Sequence, residues 1–188
     1  LSNGGDVLGR RRFTVPAAPP GEELFRFATI SDLHLGRGDK QYRGPMARRE
    51  VPSPTDDIDL DGDRQYRCAK AAIDEALAWG AEHLVVKGDL CDETVDWIWD
   101  QAAHLLGDLP VPVSILPGNH DTGALRHFEP EEGAAPRGLH VTRGVEHLDL
   151  PGLRMVLVES TNPGSGWGAV ERHADEVAAL ARDAEGGV

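Results

Sequence analysis

The sequence predicts an α/β fold, in which a β-sheet is flanked by helices. Three short apolar runs, rich in β-branched residues, are typical of strands and cover residues 24–30, 83–87 and 112–116. Two other segments repeat apolar residues at helical spacing, over residues 64–79 and 93–106. Strands that alternate with helices in this way favour a sheet of parallel strands.

Each element in the first half of the chain has a local reason. The apolar residues of the first helix form one stripe, made by Cys68, Ala69, Ala72, Ile73, Ala76 and Leu77. Gly80 follows as a helix stop signal. The second strand contains Val85 and Val86. In the second helix Trp97 and Trp99 are two positions apart and face different directions, so at most one of them belongs to the core.

The second half of the chain predicts a run of strands and then a helix. Three segments have the composition of strands, at residues 140–142, 146–150 and 153–159. Pro151-Gly152 predicts a hairpin turn between the last two strands. Residues 169–184 are rich in alanine and predict a final helix. The complete order of elements indicates a sheet covered on both faces.

The length and composition indicate one domain. The chain has 188 residues, of which 40% are hydrophobic and 27% are charged, as is ordinary for a globular protein. Residues 1–22 are predicted to form a flexible, Pro-rich leader, and residues 23–188 the domain itself. The long polar stretch at residues 36–63 is predicted to border the substrate pocket, because loops of this length in compact domains are usually functional.

Charge and cysteine content narrow the classes of function. A net charge of −13 disfavours binding to nucleic-acid backbones, unless bound cations or a basic patch intervene. No apolar run approaches the ~20 residues that a membrane-spanning helix needs. Cys68 and Cys91 lie far apart and form no CxxC pair. This cysteine content indicates a reducing compartment, so we expect a cytoplasmic protein.

Polar residues directly follow three of the predicted strands. They form the segments Asp32-Leu33-His34, Gly88-Asp89-Leu90-Cys91-Asp92 and Gly118-Asn119-His120-Asp121. Ligands of open α/β sheets gather at the carboxyl ends of the strands, so we expect these side chains to converge. Carboxylates, an imidazole and an amide oxygen together make the ligand set of a two-metal phosphoester site.

The residue types and positions predict the metal-binding roles. Asp32 and His34 are two positions apart, so in an extended segment both point the same way and can bind one metal. Asp89 is predicted to bridge two cations, because a carboxylate has two oxygens and paired ions lie ~3.5–4 Å apart. Asn119 would supply an amide oxygen to the second ion. A water between the ions would lose a proton near neutral pH and become the nucleophile.

Two further residues are predicted to take part in catalysis. His120 is placed to stabilise the phosphoryl oxygens or to protonate the leaving alkoxide, and with Asn119 it forms the predicted substrate-binding pair. Asp92 is predicted to orient His120, although a role as the cap of the second helix is also open. Asp121 is expected to be a turn residue that helps to orient its loop.

These three motifs resemble those of the calcineurin-like metallophosphoesterase family, whose signature reads D-x-H, G-D-x-x-D and G-N-H-[D/E]. All three occur in order within about residues 24–160. The resemblance implies a core that is a two-sheet sandwich flanked by helices, and the same roles for Asp32, His34, Asp89, Asn119 and His120. It implies hydrolysis of phosphoester bonds, as a phosphodiesterase or phosphomonoesterase, with two ions of manganese, iron or zinc.

The resemblance also implies that part of the site is missing. Family members complete it with a later His and a G-H-x-H motif, and neither occurs in this sequence. We therefore expect a C-terminally truncated member, with the missing ligands just beyond Val188, and the activity of this chain itself is left open.

The expected substrate is a small phosphoester, with a cyclic nucleotide as the favoured example. Two alternatives stay open. One is a DNA-processing nuclease of the same family, suggested by the segment Ser31-Asp32-Leu33-His34-Leu35-Gly36. The other is a catalytically inactive scaffold or binding module.

One aromatic residue near the predicted site also has two interpretations. Trp167 lies in a Gly-rich segment that is predicted to be a flexible turn, because it lacks the Lys-Ser/Thr ending of a phosphate-binding loop. It is either an ordinary loop residue, which is the favoured interpretation, or part of the lining of the pocket, because in related enzymes this loop lies close to the site.

Overall fold

A parallel β-sheet, a separate β-hairpin and several helices make up the part of the chain that the computed structural model describes, which is residues 21–36, 64–123, 128–162 and 165–182. The predicted α/β class is thereby confirmed. Residues 1–20 of the predicted leader and residues 37–63 of the predicted polar stretch lie outside the described residues. The domain boundaries therefore stay a prediction.

The three parallel strands form the centre of the fold. They are β1 (Phe27–Ile30), β2 (His83–Lys87) and β3 (Val113–Leu116), and they lie side by side in the order β1-β2-β3. Helix α1 (Arg64–Ala78) connects β1 to β2, and helix α2 (Asp96–Leu106) connects β2 to β3. All three strands therefore end at the same edge of the sheet.

Both helices pack against one face of β2. Their buried residues join Leu84 and Val86 in a single hydrophobic core, to which α1 contributes Tyr66, Ala69 and Ile73, and α2 contributes Ile98, Trp99, Ala102, Leu105 and Leu106. Val85, between those two strand residues, is also buried and points to the opposite face. Trp99 is buried while Trp97 is only partly so, which confirms that at most one of the pair belongs to the core.

The second half of the described chain departs from its prediction in two places. The segment at 140–142 forms no strand and makes only an isolated bridge between Val141 and Ile115. A short helix, α3 (Pro130–Ala134), continues into one 3₁₀ turn (Ala135–Arg137) and was not predicted, because five residues are too few for an apolar period to show.

The remaining elements are close to their predictions. Strands β4 (Val145–Leu150) and β5 (Leu153–Val158) form an antiparallel hairpin. Helix α4 (Ala174–Arg182) follows a 3₁₀ turn (Glu171–His173), so it begins later than the predicted residue 169. In the described residues, no helix is both long enough and apolar enough to cross a membrane.

Candidate metal centre

The loops that follow β1 and β2 run side by side at the carboxyl edge of the sheet. The backbone N–H of Asp32 donates to the carbonyl of Gly88 at 3.1 Å, and the N–H of His34 donates to the carbonyl of Asp89 at 2.9 Å. Parallel pairing of the backbone thus continues beyond the ends of the strands. This pairing brings the first two predicted motifs into contact.

Three predicted metal ligands have a left-handed backbone. The φ angles are 57° at Asp32, 46° at His34 and 50° at Asp89, and these are the non-glycine residues with positive φ in the described part of the chain. Such a conformation costs about 1 kcal/mol or more per residue and is found at functional sites. The premise that residues 32–34 are extended is wrong, because the alternation of an extended strand does not hold where φ is positive.

The side chains of these three residues nevertheless face one another. His34 Nε2 lies 4.0 Å from Asp32 Oδ1 and 3.8 Å from Asp89 Oδ2. On its other side, His34 Nδ1 donates to Asp92 Oδ1 at 3.0 Å, which leaves the lone pair of Nε2 directed at the two carboxylates. Two ligands of one ion are separated by at most ~4.2 Å, twice a typical bond of ~2.1 Å. A lone pair among carboxylate oxygens is repulsive without a cation, so this donor set fits a metal ion.

His120 lies against the same group of residues. Its backbone N–H donates to Asp89 Oδ1 at 3.1 Å, and its ring packs edge-on against the ring of His34, with 4.7 Å between the centroids. The ligand atoms of His34, Asp89 and His120 all lie within 4.8 Å of one another. His120, for which the sequence predicted a catalytic role, is therefore also near enough to belong to a metal-binding group.

Asp92 lies between the two imidazoles, but its contacts differ from the prediction. Its carboxylate is 3.0 Å from His34 Nδ1 and 3.7 Å from His120 Nδ1, so of these two imidazoles it is His34 that donates a hydrogen bond to it. The ring of His120 is instead oriented by the backbone carbonyl of Asp92, which accepts from Nδ1 at 2.9 Å. Asp92 does not cap α2, since Val95 stands at that N-cap.

The third motif approaches the second without room for a side chain at Gly118. A Cβ at this position would lie 2.9 Å from Asp89 Cγ and would collide with the Asp89 carboxylate oxygen and backbone nitrogen. Asn119 lines the same cleft as Asp32 and Asp89, and its backbone carbonyl accepts from Thr122 Oγ1 at 3.0 Å. Glycine is therefore needed before Asn119 for the two loops to meet.

Asp121 holds the second and third motifs together. Its side chain is only 1% exposed and accepts three backbone N–H bonds, from Leu90 at 3.2 Å, from Cys91 at 2.8 Å and from Gly118 at 2.8 Å. Burial raises the pKa of Asp121 to about 6, although these three bonds favour its charged form. The prediction that it orients its own loop understates this role, which only long-range contacts could reveal.

A cleft of about 320 Å³ opens over these motifs. Its lining includes Asp32, Asp89 and Asn119 from the three motifs, together with Ser160 and Trp167, which follow β5. The structure thus brings together Asp32, His34, Asp89, Asn119, His120 and Asp92, the residues predicted from the three motifs.

Comparison with known protein families agrees with this arrangement. A sequence profile described as calcineurin-like phosphoesterase matches residues 25–160, which is well over half of the chain. The chain belongs to this family. All three motifs lie inside the matched range, so the resemblance inferred from them is confirmed. No curated protein matches the chain.

Membership of this family supports metal-dependent hydrolysis of phosphoesters in general. The group of His34, Asp89 and His120 is a candidate metal site consistent with that chemistry. The Asp32, His34 and Asp89 contacts described above extend the same candidate site towards the cleft.

Proposed function

We propose that this phosphoesterase hydrolyses small phosphodiesters or phosphomonoesters with the help of two metal ions, of manganese, iron or zinc. The proposal rests on one observation above all. His34 directs its Nε2 at two carboxylates, 3.8 and 4.0 Å away, while a third carboxylate holds its Nδ1. A histidine whose second nitrogen donates to a carboxylate is the usual arrangement of a metal ligand.

Asp32, His34 and Asp89 would hold one ion, and Asp89 with Asn119 would hold the other. When bound, such ions act as Lewis acids that activate water and neutralise charge on a phosphoryl group. Asp89 suits a shared role because its two oxygens face different neighbours, with Oδ2 towards His34 and Oδ1 towards the backbone of His120. The left-handed backbone at Asp32, His34 and Asp89 supports a strained, preorganised site.

His120 is the proposed proton donor to the leaving alkoxide, or a donor to the phosphoryl oxygens. Its Nδ1 proton is committed to the carbonyl of Asp92, so Nε2 is the nitrogen that can exchange a proton with the substrate. The carboxylate of Asp92 is the proposed positioning group for His34, through the 3.0 Å bond to Nδ1. Both residues therefore act from fixed orientations.

A small phosphoester suits this chain better than a nucleic acid. The net charge of −13 opposes a polyanionic backbone, which weakens the nuclease alternative, and a cyclic nucleotide stays the favoured example. The inactive-scaffold alternative is weakened by the presence of every ligand in the three motifs. The free thiols of Cys68 and Cys91 support the proposed cytoplasmic location.

The direct test is hydrolysis of bis(p-nitrophenyl) phosphate by the protein expressed from its complete natural reading frame. We expect activity with Mn²⁺ that is lost on chelation and restored by added metal. Asp89→Asn should lower kcat/KM by more than about 100-fold. Loss of a group that only hydrogen-bonds a metal ligand costs up to about 100-fold, and Asp89 is proposed to bind the metal directly. Asp108→Asn, at an exposed carboxylate, is the matched control. Inactivity with Mn²⁺, Fe²⁺ and Zn²⁺ alike would refute the proposed function.

A further inference from the structure

Trp167 is the most exposed of the large apolar side chains in the described part of the chain, at 83%. It lies on the rim of the same cleft that Asp89 and Asn119 line. Trp79 is also exposed, at 55%, but its ring packs beneath the guanidinium of Arg26 at 5.4 Å. Among the described residues, no aromatic ring or cation stacks on Trp167. Its indole face is therefore open to a ligand.

The backbone holds this indole at the cleft. The N–H of Ala169 donates to the carbonyl of Ser160 at 2.7 Å, which ties the segment after Trp167 to the end of β5. A Cβ at Gly168 would lie 3.2 Å from both the carbonyl oxygen and the hydroxyl of Ser160, so the two segments approach closely. The N–H of Trp167 itself donates to Ser165 Oγ at 3.1 Å. Removal of the indole would leave these backbone contacts in place.

The cleft thus combines two kinds of surface. Its lining includes the carboxylates of Asp32 and Asp89 and the amide of Asn119, which suit metal ions and a phosphoryl group, and Lys87 is the basic residue among its described lining. Its rim carries a flat aromatic face. At about 320 Å³ the cleft is at the small end of ligand pockets, which suits one ring joined to one phosphate.

We propose that Trp167 is a specificity residue that stacks on a planar aromatic ring of the substrate, so that the preferred phosphoesters carry a nucleobase or an aryl group. This inference deepens the proposed function and depends on it. A π-face binds rings of many kinds, so Trp167 selects for the presence of a ring and not for a particular base.

The test measures binding to the Mn²⁺-loaded protein by equilibrium dialysis at low temperature, which slows hydrolysis of the ligands. Each of the three ligands carries a single phosphate, and they differ in the group attached to it: adenosine 5′-monophosphate, phenyl phosphate and ribose 5-phosphate. Loss of stacking on a base costs ~1–3 kcal/mol, so Trp167→Ala should weaken binding of a ring-bearing ligand by roughly 5- to 150-fold. Binding of ribose 5-phosphate should change by less than about 2-fold, because that ligand has no ring to stack.

Two further variants separate stacking from other effects. Trp167→Phe keeps an aromatic face and should retain most of the affinity, whereas Trp79→Ala removes an exposed indole elsewhere and should change nothing. A loss confined to the nucleotide identifies the base as the ring, and a loss that includes phenyl phosphate identifies any aryl group. If Trp167→Ala weakens binding of all three ligands equally, or of none of them, the stacking role is overturned, while binding of phosphate by the wild-type protein still supports the proposed function. If no phosphate binds even the wild-type protein, the proposed function itself fails.

Discussion

Gly118→Ala is expected to damage both stability and metal binding. A Cβ at this position would lie 2.9 Å from Asp89 Cγ and closer to two other Asp89 atoms. Ordinary contacts between carbon atoms are ~3.5–4.0 Å, so the two loops must separate by about 1 Å. Overpacking of this kind costs ~1–3 kcal/mol. Urea denaturation should detect a fall of that size in the free energy of unfolding.

The same displacement should weaken metal binding, because Asp89 Oδ2 would move relative to His34 Nε2, from which it is now separated by 3.8 Å. Metal–ligand distances tolerate errors of only about 0.2 Å, so the affinity for Mn²⁺ should fall on the order of 10-fold or more. Isothermal titration calorimetry of the metal-free protein measures this loss.

Gly166→Ala is the matched control, because a Cβ there would meet no heavy atom within 4 Å. Both Gly→Ala substitutions reduce the conformational entropy of the unfolded chain equally, so the difference between their free energies of unfolding measures the cost of the collision at residue 118. If the free energies of unfolding of the two variants agree within about 0.5 kcal/mol and both bind Mn²⁺ equally, the predicted collision between a Gly118 Cβ and Asp89 is refuted.

Two other predictions follow from contacts in the structure. Asp92→Asn weakens the acceptor of His34 Nδ1, so Mn²⁺ affinity should fall ~10–100-fold in calorimetry, and an unchanged affinity would contradict the positioning role. The second prediction concerns His83, whose pKa is lowered by burial. At pH values just below 6.5, the ordinary pKa of histidine, the unfolded state therefore binds a proton at this residue while the native state remains neutral there. The free energy of unfolding of the wild type should therefore fall as the pH drops below about 6.5. The wild-type advantage in urea midpoint over His83→Gln, which has no titrating group there, should narrow or reverse over the same pH range. A difference in midpoint that does not change with pH would contradict this prediction.

Local patterns were sufficient for most of the parallel sheet. The segment His83–Lys87 forms β2 with the predicted bounds, since a short segment that contains Val85 and Val86 and lies between Gly80 and Gly88 is typical of a buried strand. Gly80 ends α1 as predicted, with φ at +91°. The strand predicted at residues 140–142 is not formed, because among the described residues this segment makes one bridge to β3 and pairs with no other strand.

The candidate site was predictable in its members but not in its internal contacts. Residue types and strand ends identified Asp32, His34 and Asp89, because the carboxyl edge of a parallel sheet gathers such side chains. The sequence predicted that Asp92 orients His120, but not that its backbone carbonyl would do so while its carboxylate accepts from His34. Its neighbour His34 is 58 residues away in sequence, and that distance is closed only by pairing between two loops.

The sequence by itself determined the fold class, the family and the three motifs, because these depend on local periodicity and on the chemical types of the side chains. Only the tertiary structure decided how the site is held. The left-handed backbone at Asp32 and the three N–H bonds to buried Asp121 arise where segments distant in sequence meet, and no local pattern encodes them. The position of Trp167 over the cleft has the same origin, since it depends on where β5 ends relative to the parallel sheet.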